Sequence, residues 1–178
     1  GQAAAREGLK VMSFLQHLVG RSMPDVALEA TSGSPVSLAR IPGMAVIFCY
    51  PYTGRPGHPN PPNWDHIPGA HGSTPQALAY AEAYGQFRRL GVKLFGLSLI
   101  DTEWQQDFAS RNRLSFRLLS DPLRAVPRQL SLPTFETGGV VYLQRMTFVI
   151  TDGLISHVRF PVPDPAADAA EVLAAISP

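Results

Sequence analysis

The chain has 178 residues, of which 45% are apolar and 16% charged, enough for one globular core and unlike a disordered chain. Fifteen basic residues nearly balance 14 acidic ones, so no electrostatic footprint points to nucleic acid, and no apolar run approaches the roughly 20 residues of a membrane span. One cysteine excludes an internal disulfide and any CxxC redox or metal pair, which makes a reducing cytoplasm the expected setting.

The opening GQAAAREGLKVMSFLQHLVG lacks the basic head, continuous apolar centre and cleavage site of a signal peptide. Leu9, Met12, Leu15, Leu18 and Val19 fall at helical spacing, which predicts a helix over 3–19 that Gly20 ends. Met12 leaves two readings open for the residues before it, a non-native remnant or a frayed helix. The domain proper is expected over 20–178. DVALEATSGSPVSLARIPG reads as a hairpin of two short strands around a Gly/Ser turn. MAVIFCY, residues 44–50, is continuously apolar and predicts a central strand buried on both faces.

A long loop follows, PYTGRPGHPNPPNWDHIPGAHG, whose prolines and glycines exclude helix and sheet interiors. Loops of that length in compact domains are often functional. It carries His58, Asp65, His66 and His71, metal-ligating by residue type but without the regular spacing of a metal site, so solvated loop residues are the default and no metal is expected. An amphipathic helix comes next, with Ala77, Tyr80, Ala81, Tyr84 and Phe87 on one face and Gly91 after its end.

VKLFGLSLI (92–100) predicts a second buried strand. Thr102 and Gln105 have capping-box spacing for a helix through about Asn112. SFRLLSDPLRAVPRQL reads as a short strand and a brief helix bent or ended at Pro127. VVYLQRMTFVI (140–150) and LISHVRFPV predict one hairpin around Thr151-Asp152-Gly153. Asp164 and Pro165 then open a terminal helix. Strands alternating with helices, closed by a hairpin and a helix, predict an α/β sandwich with a mixed sheet.

Three stretches in this order resemble the peroxiredoxins. MPDVALEATSGSPVSLARIPGMAVIFCYP is similar to the family's opening, LGVKLFGLSLIDTEWQQDFASRNRLSFRLLSD to its middle, and LQRMTFVITDGLI to its closing strand pair. The resemblance covers about residues 20–176 and is nearest to the bacterioferritin-comigratory, or Q-type, branch, with a Pro-rich insertion before the active helix. It implies a thioredoxin-like fold and reduction of hydrogen peroxide or organic hydroperoxides by a cysteine in the first turn of a helix. No cofactor is implied; a thioredoxin-like protein or small thiol would be the reductant, and a homodimer is compatible.

In that branch the helix begins like GCTPQxC, and here the string is Gly72-Ser73-Thr74-Pro75-Gln76-Ala77-Leu78. The resemblance therefore places Ser73 at the reactive position, Leu78 at the resolving position, and the family arginine at Arg145. Gly72, Thr74, Pro51 and Trp64 are the expected pocket, Trp64 as an apolar lid or contact. The family threonine position falls on Ala70, a departure. Read locally, Ser73-Thr74-Pro75 is an N-cap with proline at the first helical position.

A helix N-terminus and a fixed guanidinium favour a sulfur anion. A serine hydroxyl stays protonated there and attacks O–O bonds poorly, so the expectation is an unarmed site. Two origins are open for Ser73, a cysteine-to-serine replacement, favoured by the intact scaffold, or natural loss of activity. Cys49, in an apolar strand, reads as an inert core thiol, with a secondary reactive thiol as the alternative. The alternative for the whole chain is a non-catalytic thioredoxin-fold binding or redox-sensing module.

Overall fold

The computed structural model describes residues 15–178, so most of the helix expected over 3–19 lies outside the described residues. Its strands are β1 (Glu29–Ala30), β2 (Met44–Cys49), β3 (Lys93–Ser98), β4 (Arg117–Ser120), β5 (Thr134–Thr137), β6 (Val140–Leu143), β7 (Met146–Thr151) and β8 (Leu154–Arg159). Its α-helices are α1 (Ser73–Arg89), α2 (Thr102–Arg111), α3 (Ala125–Leu130) and α4 (Asp168–Ile176). Six strands form one sheet in the order β1-β4-β3-β2-β7-β8, and β5 and β6 form a separate ribbon. β2, β3 and β4 run parallel, whereas β7, β8 and β1 join antiparallel, which makes the sheet mixed.

Successive side chains of a strand point to opposite faces, and β2 shows what that alternation does here. Val46, Phe48 and Tyr50 enter the core shared with Ala77, Tyr80 and Phe87 of α1, Phe108 of α2, and Ala169 and Val172 of α4. Ala45, Ile47 and Cys49 enter the opposite core, with Leu15, Leu18, Leu38 and Val126. Phe48 stacks on Tyr80 at 4.5 Å between centroids, which fixes α1 across the middle of the sheet. Gly96 permits this packing: a Cβ there would stand 2.6 Å from Leu118 Cδ2 and 3.0 Å from Phe48 Cζ.

Several local expectations change. The hairpin over residues 25–43 shrinks to one antiparallel bridge, Leu28 to Val36, because β1 spends its ladder bonds on β4 instead. The apolar run 140–150 is two strands: β6 turns back on β5, and Gln144-Arg145 separates it from β7, which alone forms the hairpin with β8. Periodicity within 140–150 did not mark that break because both halves are apolar. The capping box at Thr102 gives way to Asp101, whose Oδ1 accepts from Trp104 N at 2.7 Å. Gln105 turns inward, donating to Leu119 O at 2.9 Å and Ser120 Oγ at 2.6 Å. At the last helix, Asp164 does cap, over a 3-10 turn of Pro165–Ala167 that precedes α4.

The long loop is pinned on both sides. Trp64, 5% exposed, packs among Tyr52, Phe135 and Tyr142 at centroid distances of 5.5, 5.7 and 5.3 Å. Trp104 Nε1 donates to Thr53 O at 2.8 Å, and Arg55 lies 4.1 Å over the Trp104 ring while pairing with Asp107. Prolines deny the loop its own ladder, and aromatic contacts with the β5–β6 ribbon replace it.

Candidate active site

Ser73 is the first residue of α1, and the residue capping that helix is Gly72, not Ser73. Gly72 has φ 115, a left-handed conformation that an L side chain resists. A Cβ there would also stand 2.6 Å from Pro165 Cγ, so glycine lets the start of α1 touch the turn before α4. Pro75 is then third in the helix, where its missing N–H costs no intrahelical bond. Ser73 makes no capping bond and is only 5% exposed, leaving its hydroxyl to another partner.

That partner is Arg145, also buried, in the break between β6 and β7. Its Nη2 donates to Ser73 Oγ at 3.1 Å and to the carbonyls of Gly69, Ala70 and His71 at 3.2 Å each. Its Nη1 donates to Gln76 Oε1 at 2.7 Å. Ala70 sits in the same apolar cluster as Trp64 and Tyr142, so the loop's aromatic packing holds up the carbonyl turn that grips the guanidinium. Burial pushes Arg145 down to about 10, opposed by the charge of Asp168, and it remains a cation at neutral pH.

The site extends to two residues that the sequence did not single out for function. Gln76 Nε2 donates to Asp168 Oδ2 at 3.1 Å. The same oxygen accepts from Tyr80 Oη at 2.6 Å and Thr147 Oγ1 at 2.7 Å, and Oδ1 accepts from Arg159 Nε at 2.9 Å. Gln76 could have been flagged, since a residue three positions after Ser73 shares its helix face. Asp168 gave no signal: in the Ala-rich string PAADAAEV it reads as a solvated first-turn acid, and only the fold buries it.

The remaining candidates separate. Thr74 is half-buried beside Ser73, and Pro51 is buried where β2 runs out, its carbonyl accepting from Ser98 Oγ at 3.2 Å. Trp64 is a packed support rather than an exposed flap. Cys49 lies in the core on the sheet face away from α1, and burial, with Asp121 adding repulsion, pushes its thiol well up. Leu78 is 43% exposed on the outer side of α1. Of the loop's candidate metal ligands, His71 and Asp65 meet at 2.6 Å, and among the described residues no three His, Cys, Asp or Glu side chains converge.

The Redoxin family profile matches residues 18–176. The chain is 29% identical over 122 residues to the chloroplastic peroxiredoxin Q of Sedum lineare, covering 68% of this chain and 58% of that protein. Against the chloroplastic peroxiredoxin Q of Arabidopsis thaliana it is 30% identical over 126 residues, covering 70% and 51%. It thus spans little more than half the length of the curated relatives it matches. Among solved structures, the peroxidoxin BcpB of Mycobacterium tuberculosis superposes with a TM-score of 0.71 at 26% identity, over 90% of this chain and 98% of that one. A cysteine-to-serine mutant of Xanthomonas campestris peroxiredoxin Q, at 23% identity and a TM-score of 0.70 over 89% and 96%, shares the fold. With the profile spanning nearly the whole chain and these relatives agreeing, the chain belongs to the Redoxin family, as a peroxiredoxin of the Q type.

Proposed function

We propose that the pocket at residue 73 is built for a thiol peroxidase acting on hydrogen peroxide or organic hydroperoxides, and that the chain with Ser73 is its inactive form. One observation carries this reading: Arg145 donates from 3.1 Å to the side-chain oxygen at the N-terminus of α1, without a carboxylate partner of its own among the described residues. A thiolate at that atom gains from the guanidinium and from the positive end of the helix. It attacks one peroxide oxygen, the O–O bond breaks, and the other oxygen leaves as alkoxide or hydroxide and is protonated. The product is a sulfenic acid, which two thiols of a thioredoxin-like or small reductant return to thiol with release of water and a disulfide. Position 78 is leucine, so we assign a mechanism with one cysteine in this chain. A reducing compartment such as the cytoplasm suits that chemistry; the plant relatives named above are chloroplastic.

The test is Ser73→Cys. Peroxide consumption with thioredoxin or dithiothreitol is the expected result, against none for the unaltered chain. A folded Ser73→Cys protein that leaves peroxide untouched removes the reading.

One observation favours a second reading, a non-catalytic binding or redox-sensing module: the chain's only thiol is buried away from the site. Capture of a protein partner that depends on residues 54–72 and is indifferent to residue 73 would support it.

A further inference from the structure

Gln76 is the only side chain hydrogen-bonded to both Arg145 and Asp168 among the described residues. The two ends of its amide have nearly the same shape, so packing alone does not choose which end meets the guanidinium. Hydrogen-bond polarity does. A guanidinium only donates, and a carboxylate only accepts. Asp168 has no exposed surface, and its other partners come from three elements, all as donors: Tyr80 from α1, Thr147 from β7 and Arg159 from β8. Glu171, one turn further along α4, pairs with Arg159 and not with this cluster's interior. Gln76 then has one satisfied arrangement, N–H toward Asp168 and oxygen toward Arg145. In the flipped arrangement N–H would face N–H, and oxygen would face carboxylate, in a place that water does not reach.

We infer that Asp168 is a positioning residue of the reactive site: acting through Gln76, it orients the amide that holds the Arg145 guanidinium against residue 73. A carboxylate on the last helix thereby sets the aim of a cation beside the first. The inference rests on the reading of residue 73 as the thiol position, but not on peroxide turnover.

The experiment measures iodoacetamide alkylation against pH in the Ser73→Cys protein. Deleting a nearby negative charge makes a thiolate easier to form, so a direct charge effect of Asp168→Asn lowers the thiol pKa. Loss of aim in Arg145 raises it. The expected result is a rise of about one unit, slowing alkylation about tenfold at pH values below both midpoints. With Gln76→Met already present, Asp168→Asn should change the rate by less than about twofold, because the path through the amide is gone. An unchanged or lowered pKa, or an equal rise in both backgrounds, overturns the inference. Where circular dichroism shows that Asp168→Asn does not fold, neutron diffraction from the unaltered chain decides. Two amide deuterons of Gln76 facing Asp168 uphold it, and deuterons facing Arg145 overturn it. An acidic, Asp168-dependent thiol that leaves peroxide untouched would remove the peroxidase reading and keep this one.

Discussion

Arg145 Nη2 stands 3.1 Å from Ser73 Oγ, a contact that joins the break between two strands to the first turn of a helix far earlier in the chain. The same nitrogen also holds three consecutive carbonyl-bearing residues, Gly69, Ala70 and His71. One side chain therefore serves both the proposed chemistry and the closure of the loop. Arg145→Met should leave the buried carbonyl of Ala70 and the buried side-chain oxygens of Ser73 and Gln76 without their donor, and lower stability by about 2–4 kcal/mol. Urea unfolding measures it, and a loss below about 0.5 kcal/mol would show that the loop closes without the guanidinium.

Gly72 meets two demands at once, a left-handed φ and contact with Pro165. Gly72→Ala is expected to destabilise by about 1–3 kcal/mol, and in a Ser73→Cys background to slow alkylation of the introduced thiol by shifting the helix start. Thermal unfolding with parallel alkylation rates checks both, and a neutral effect on each would contradict the account of the cap.

Trp64 packs in the same buried apolar cluster as Ala70, whose carbonyl accepts from Arg145. Trp64→Ala should cost about 3–5 kcal/mol if the loop is part of the cooperative unit. Hydrogen exchange should show faster exchange at residues 67–71 in that variant. Native-like protection there would show that the aromatic cluster is not what holds the turn.

Burial raises the phenols of Tyr50 and Tyr80 above their ordinary range, Tyr80 further through the adjacent Asp168. Their folded pKa values exceed the unfolded ones, so their contribution to stability is complete below about pH 10 and is lost as pH climbs beyond it. Arg145 acts oppositely above about pH 10, where the unfolded state holds the proton that the folded state has released, but it opposes two shifted phenols. Stability should fall above about pH 10. Absorbance titration should show two of the five tyrosines ionising only with unfolding; five phenols titrating in the folded protein would contradict their burial.

Cys49 is 0% exposed and its thiol is held protonated by burial. Ellman's reagent should find no reactive thiol in the native chain and one equivalent after denaturation. Rapid labelling in native buffer would reopen Cys49 as a secondary reactive thiol.

Much of the frame follows from local residue patterns. The continuous apolar run at 44–50 and the largely apolar stretch at 92–100 point to buried strands, and the period of Ala77, Tyr80 and Phe87 to a helix laid on them. Resemblance to the peroxiredoxins singled out Ser73 and Arg145 together, and the structure brings their side chains to 3.1 Å. Tertiary structure alone decided the rest. Residues 140–150 divide between two sheets because Gln144 and Arg145 face different neighbours, which no window of apolar residues records. Asp168 became the acceptor at the centre of the site, and Cys49 was turned away from it, because burial and strand face are properties of the assembled layers rather than of any residue's sequence neighbours.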